Sequence, residues 1–160
     1  MIKQRKDILI VILFLLLVSL ISAYIIEYIL EQEPCKLCIY QRFPYFVSIL
    51  LLLNILLLRK YIKQCLLILS LVSLCGSAIA FYHFGIEQGF FSESLVCETE
   101  NLDPNSSKED ILKQLSKNTV SCKTVTFRVF GLSLASINTI FSFVLFVIFL
   151  KLFKNYEINK

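Results

Sequence analysis

Four apolar runs, each about as long as a bilayer is thick, constrain this chain more than any other feature. They fall at roughly Ile8–Leu30, Ile39–Leu58, Ile62–Phe84 and Gly131–Phe153. A hydrocarbon core of about 30 Å takes about 20 residues of helix, and inside it each backbone polar group must be satisfied within the segment. Each run is therefore expected to be a transmembrane helix. Four such helices use most of the 160 residues, and 57% hydrophobic with only 18% charged residues excludes an ordinary soluble domain. The expected fold is an all-α membrane protein, a four-transmembrane-helix bundle. It forms a single membrane domain over 1–160, with outer loops at about 31–38 and 85–130.

The first run also has the layout of a secretory signal: Lys3, Arg5 and Lys6, then apolar residues to Ile21, then Ser22-Ala23. Apolar character continues to Leu30, however, and Ile21 is large for the position two before a cut after Ala23. Retention as a helix is the expectation.

Charge sets the orientation. The N-terminal segment carries Lys3, Arg5 and Lys6; the second connection carries Arg59, Lys60 and Lys63 with no acid; the tail carries Lys151, Lys154 and Lys160. Threading four helices puts these three regions on one side, and short Lys/Arg-rich loops stay cytoplasmic. Both termini are expected inside. The loop with Glu31, Glu33 and Lys36, and the long 85–130 loop with seven acidic and five basic residues, are expected outside.

The six cysteines sort by this topology. Cys35 and Cys38 belong to the first outer loop, and Cys97 and Cys122 to the second. Two pairs on an oxidising face suit thiol–disulfide chemistry. The wide pair can be either a relay or a permanent staple of a long loop. Cys65 and Cys75 lie ten residues apart in the third run, about 15 Å along a helix and beyond disulfide reach, and are expected to be packing residues.

Pro34-Cys35-Lys36-Leu37-Cys38 sits where the second helix should start. A cysteine there has its thiolate favoured by the helix dipole. Arg42 follows Cys38 by one turn on the same face, positioned either to stabilise a thiolate or reduced acceptor or to snorkel to headgroups. His83, at the end of the third run, is either a hydrogen-bonded packing residue or a donor to a reducible ring. A closed zinc site needs about four ligands, and with one histidine and a single CxxC no metal is expected. Between Cys97 and Cys122, Ser106-Ser107-Lys108-Glu109 fits a capping box, and Ile111, Leu112 and Leu115 share a face, predicting a short surface helix.

Cys35-Lys36-Leu37-Cys38-Ile39-Tyr40-Gln41-Arg42 resembles the signature of the disulfide bond formation protein B (DsbB) family. So does the cysteine order, and so do Tyr82-His83, Gly85-Ile86-Glu87 and Phe130-Gly131-Leu132-Ser133-Leu134-Ala135. The family pattern often has Glu where this chain has Gln41. The resemblance implies a bacterial inner-membrane protein-disulfide:quinone oxidoreductase. It would reoxidise a soluble periplasmic DsbA-like thioredoxin-fold oxidase and pass electrons to membrane quinone, ubiquinone or menaquinone. It implies that Cys97 is attacked by the partner, that Cys122 completes the loop disulfide and that Cys35 exchanges with that pair. Cys38 would lie against the quinone, with Arg42 and His83 completing its site. No nucleic acid is expected as partner. Two other readings compete: a non-catalytic scaffold with structural disulfides, and a vitamin K epoxide reductase-like enzyme, in which the loop pair precedes the CxxC rather than following it.

Overall fold

The computed structural model describes residues 2–59, 61–92, 122–123, 128–129 and 131–158. Its helices are α1 (Ile2–Tyr28), α2 (Lys36–Leu53), which continues into a π-helical turn (Asn54–Leu58), α3 (Ile62–Glu87) and α4 (Leu134–Ile158). Each is long and apolar enough to cross a membrane. The protein is an all-α four-helix membrane bundle. The second and third helices extend beyond their apolar runs at the loop end: α2 begins at Lys36 because Cys35 caps it, and α3 runs to Glu87 because that carboxylate is buried. The surface helix expected after Ser106 lies outside the described residues.

Packing decides the shape. From Lys6 onward the buried residues of α1 are Leu9, Ile12, Leu16 and Leu20, three or four apart, a single stripe that faces the bundle. Val11 and Phe14 point away, as suits a helix with lipid on its other side. Helix α3 is the centre, packing most extensively along α4 and next along α2, whereas α1 leans on α2. Its buried face includes Ser70, Ser73, Gly76, Ser77 and Ala80, small residues that let backbones approach where lipid gives no hydrophobic drive. A side chain on Gly76 would put its Cβ 3.3 Å from Cβ of Pro44 and 3.8 Å from Oγ of Ser142, so α2, α3 and α4 converge on a hydrogen atom.

The two ends of the bundle differ. At the end carrying both termini, Leu16, Leu52, Leu69 and Phe149, one from each helix, are almost wholly buried in a continuous apolar core. Cys65 joins that core, as expected of a packing residue. Cys75 does not; its thiol is free and exposed on the lipid-facing side of α3. At the opposite end, α3 stops in a turn through Gly89 (φ +77°), and the Phe90 and Phe91 amides donate to the Gly85 carbonyl at 2.8 and 3.2 Å. The Phe91 ring folds over Gly85 and stacks on Tyr82, with centroids 5.6 Å apart. A two-residue hairpin pairs Arg128 with Ser133 and Val129 with Leu132, and leads into α4.

Candidate functional site

The CxxC lies at the start of α2. Cys35 is its N-cap, in extended conformation, and its Sγ accepts the Cys38 backbone N–H at 3.3 Å. A side-chain acceptor at this position satisfies one of the helix's orphan amides, and here sulfur takes the role usually given to a hydroxyl or carboxylate. The two sulfurs are 2.9 Å apart and both are free thiols. Cys35 is buried and Cys38 half-buried. The cap geometry therefore assigns the helix-terminal thiolate to Cys35, where the sequence pattern favoured Cys38 beside Arg42. The Cys35 thiol is drawn well below the ordinary thiol range. The chief cause is its hydrogen bond with Cys38, helped by the His83 ring and the Cys38 amide; burial opposes the shift.

His83 reaches this thiol from α3, with Nε2 3.5 Å from Cys35 Sγ. Nε2 also lies 3.7 Å from a carboxylate oxygen of Glu87, one turn further along α3. The other oxygen, Oε2, is the one buried side-chain polar atom among the described residues with no hydrogen-bond partner. On its far side the ring meets Gln41: His83 Nδ1 is 3.0 Å from Gln41 Nε2. Gln41 Oε1 accepts from Asn138 Nδ2 at 2.5 Å, and Asn138 Oδ1 accepts from the hydroxyls of Tyr45 and Ser142. A polar chain thus crosses from α3 through α2 to α4 inside the bundle.

Cys122 is brought to the same place. It is almost fully buried, packs in one cluster with Cys35, Leu37 and Ile86, and is disulfide-bonded. Its backbone meets the His83 ring. Cys97 lies outside the described residues. Arg42 is engaged elsewhere: its guanidinium pairs with Glu27 of α1 at 2.5 Å and lies over the Tyr24 ring, 4.9 Å from the centroid. That pairing answers the cost of a cation near hydrocarbon without recourse to a thiolate. As to metals, the donor atoms of Cys35, Cys38 and His83 lie within 4.8 Å of one another, three of the four ligands a closed zinc site takes.

Sequence reasoning passed over Gln41 and Asn138 as chemistry and did not pair Glu27 with Arg42. A signal existed. Gln41 and Asn138 stand inside apolar runs, and a polar residue in a transmembrane segment is by default a functional candidate with a partner.

A reduced, capped dithiol packed against a disulfide-bonded cysteine at one end of a helix bundle defines a multi-pass membrane protein of thiol–disulfide exchange. Comparison with known proteins narrows this class. Residues 5–152 match the family described as disulfide bond formation protein DsbB, and the chain belongs to that family. It is an oxidoreductase with a role in disulfide bond formation. An uncharacterized protein of Rickettsia prowazekii, RP370, is 31% identical over 148 residues, covering 91% of this chain and 86% of the relative.

Proposed function

We propose that the protein oxidises a soluble DsbA-like thioredoxin-fold partner through Cys97–Cys122 and Cys35–Cys38 and delivers the electrons to membrane quinone. The observation that carries this reading is the packing of the Cys35 dithiol and the disulfide-bonded Cys122 into one cluster. Exchange needs the two pairs in contact, and Cys35, whose surroundings favour the thiolate, is the better leaving group when the loop pair is restored.

The partner's thiolate attacks the loop disulfide at Cys97, and resolution releases the partner as a disulfide and leaves Cys97 and Cys122 as thiols. A loop thiolate then attacks the Cys35–Cys38 disulfide at Cys35; resolution restores the loop pair and leaves Cys35 and Cys38 as a dithiol. That final state has the redox pattern of the described residues, with free Cys35 and Cys38 and a bonded Cys122. Quinone supplies a lipid-soluble acceptor for two electrons and two protons. The residues at this end suit it: Cys38 is only half-buried, the His83 ring flanks the dithiol, and Tyr40 and Phe43 present apolar, outward-facing surface on α2. Arg42, held by Glu27, supplies positive charge one turn below Cys38. Stabilising the reduced form through the Cys35 thiolate makes the pair more oxidising, which favours taking electrons from the loop.

The orientation proposed is both termini cytoplasmic and the thiol end periplasmic, in a bacterial inner membrane. It rests on Arg59, Lys63 and both charged tails lying at the terminal end. The test is quinone reduction followed optically, with purified protein and a reduced thioredoxin-fold partner. Turnover that needs both partner and quinone is expected. Partner oxidation that proceeds equally without quinone would reject the electron path.

A further inference from the structure

The polar chain from α4 to the dithiol has a direction, given by the way the Asn138 and Gln41 amides are turned. The hydroxyls of Tyr45 and Ser142 both donate to Asn138 Oδ1. Asn138 turns its amide nitrogen to Gln41, with Nδ2 2.5 Å from Gln41 Oε1. Gln41 has only its own amide nitrogen left for His83, placed 3.0 Å from Nδ1. An amide nitrogen offers only protons, so Nδ1 must be a bare acceptor. The ring proton then belongs on Nε2, the atom that faces Cys35 at 3.5 Å and Glu87 at 3.7 Å.

We propose that Gln41 and Asn138 are positioning residues that fix the His83 tautomer, so that its Nε2–H is held as a donor toward Cys35. His83 in this arrangement stabilises sulfur as a thiolate by donating to it, rather than by taking its proton. The inference deepens the proposed exchange chemistry and rests on it for its purpose, though not for its measurement.

The tautomer assignment accounts for every member of the chain. His83 and Gln41 are buried in a bundle where an unmatched polar group has no water to turn to. It also explains why α4 carries an asparagine whose sequence distance from Gln41 is 97 residues. Around the ring, the titratable groups are Cys35 and Cys38 at the head of α2, and Glu87 on α3 itself. Helix α4 contributes the neutral Asn138 and Ser142, and Cys122 is bonded. Of the charged groups of α1 and α2 at this end, Glu27 and Arg42 are engaged with each other and Lys36 is exposed.

The chain contains one histidine, so nitrogen-15 labelling of histidine gives a single ring to read in the full-length reduced protein. The expected spectrum shows a protonated Nε2 and an unprotonated, hydrogen-bonded Nδ1. A proton on Nδ1 would overturn the proposal outright. Gln41→Glu replaces the donor with an acceptor of the same shape. It should move the ring proton to Nδ1 and raise the pH midpoint of Cys35 alkylation, mapped by mass spectrometry with iodoacetamide, by about one unit, or about tenfold in rate below that midpoint. Asn138→Leu, which leaves Gln41 free to rotate, should shift the midpoint the same way by less. An unchanged tautomer and midpoint in both variants would also overturn it. If Gln41→Glu does not fold, the wild-type spectrum and Asn138→Leu still decide. None of these measurements needs quinone or a protein partner. Failure of quinone turnover with the expected tautomer would therefore count against the electron path alone.

Discussion

The two ends of this bundle are built from the same four helices by opposite rules. At the terminal end one large apolar side chain from each helix meets its neighbours, and Leu16, Leu52, Leu69 and Phe149 hold the bundle by contact alone. At the thiol end Gln41, His83 and the Glu87 carboxylate are buried beside Leu37 and Ile86, the half-buried Asn138 completes their hydrogen bonds, and a cysteine stands at the helix cap. Apolar packing in a membrane is unspecific in direction, because lipid competes on equal terms. Hydrogen bonds between buried polar groups are directional, and a mismatch leaves a group with no partner. The lesson is a division of labour: one end keeps the helices together and the other sets which atoms face each other.

The largest effect that could break this contrast lies in the sulfurs. Cys35→Ser, Cys38→Ser, Cys97→Ser and Cys122→Ser should each drop partner oxidation with added quinone to the uncatalysed background, with helical content kept. Full turnover in Cys97→Ser would sink the relay. Phe149→Ala probes the other end. It should cost about 3 kcal/mol, the lower range for a buried phenylalanine, since hydrocarbon rather than water borders the bundle. Turnover at a temperature where the variant is still folded should be unchanged; a parallel loss of turnover would mean that the two ends are not separable.

Arg42→Ala strands Glu27 on α1 in a partly buried setting and should cost about 1–2 kcal/mol in stability, between the values for exposed and buried pairs. It should also weaken the dependence of rate on quinone concentration, while Glu27→Gln in the same background restores stability but not quinone use. An unaltered quinone dependence would remove Arg42 from that site.

The smallest effect is read in pH. Because the Cys35 thiol is depressed, its thiolate persists below the ordinary thiol pKa of 9.0, and alkylation of Cys35 should stay fast at pH 7, where an unperturbed thiol is about 1% ionised. Its contribution to the reduced fold is complete above that ordinary value and is lost as pH falls through the lowered one. An alkylation profile centred on the ordinary value would remove the Cys38 thiol, His83 and the cap as causes.

Much of this was legible in the sequence. Run length alone placed four helices, and the CxxC, the wide pair and His83 were visible as types and spacings. Helix limits were less so, because apolarity marks the hydrocarbon and not the helix. Lys36 to Cys38 are helical beneath a sulfur cap, and Gly85 to Glu87 continue α3 to a buried acid beside His83. Partners were the least legible. Arg42 has a thiol four residues before it, yet pairs with a carboxylate fifteen residues away on another helix. Gln41 finds Asn138 only once α2 and α4 are docked. Sequence proximity is a guide along one helix and says little about what another helix brings.

Cys75 carries a practical consequence. A thiol reacts as thiolate, which hydrocarbon disfavours, so this free, lipid-facing sulfur should ignore water-soluble maleimides and respond to reagents dissolved in the bilayer. It is a built-in depth gauge: with a fluorophore attached at that position, quenching by doxyl lipids of graded chain depth would measure how far the midpoint of α3 sits below the surface.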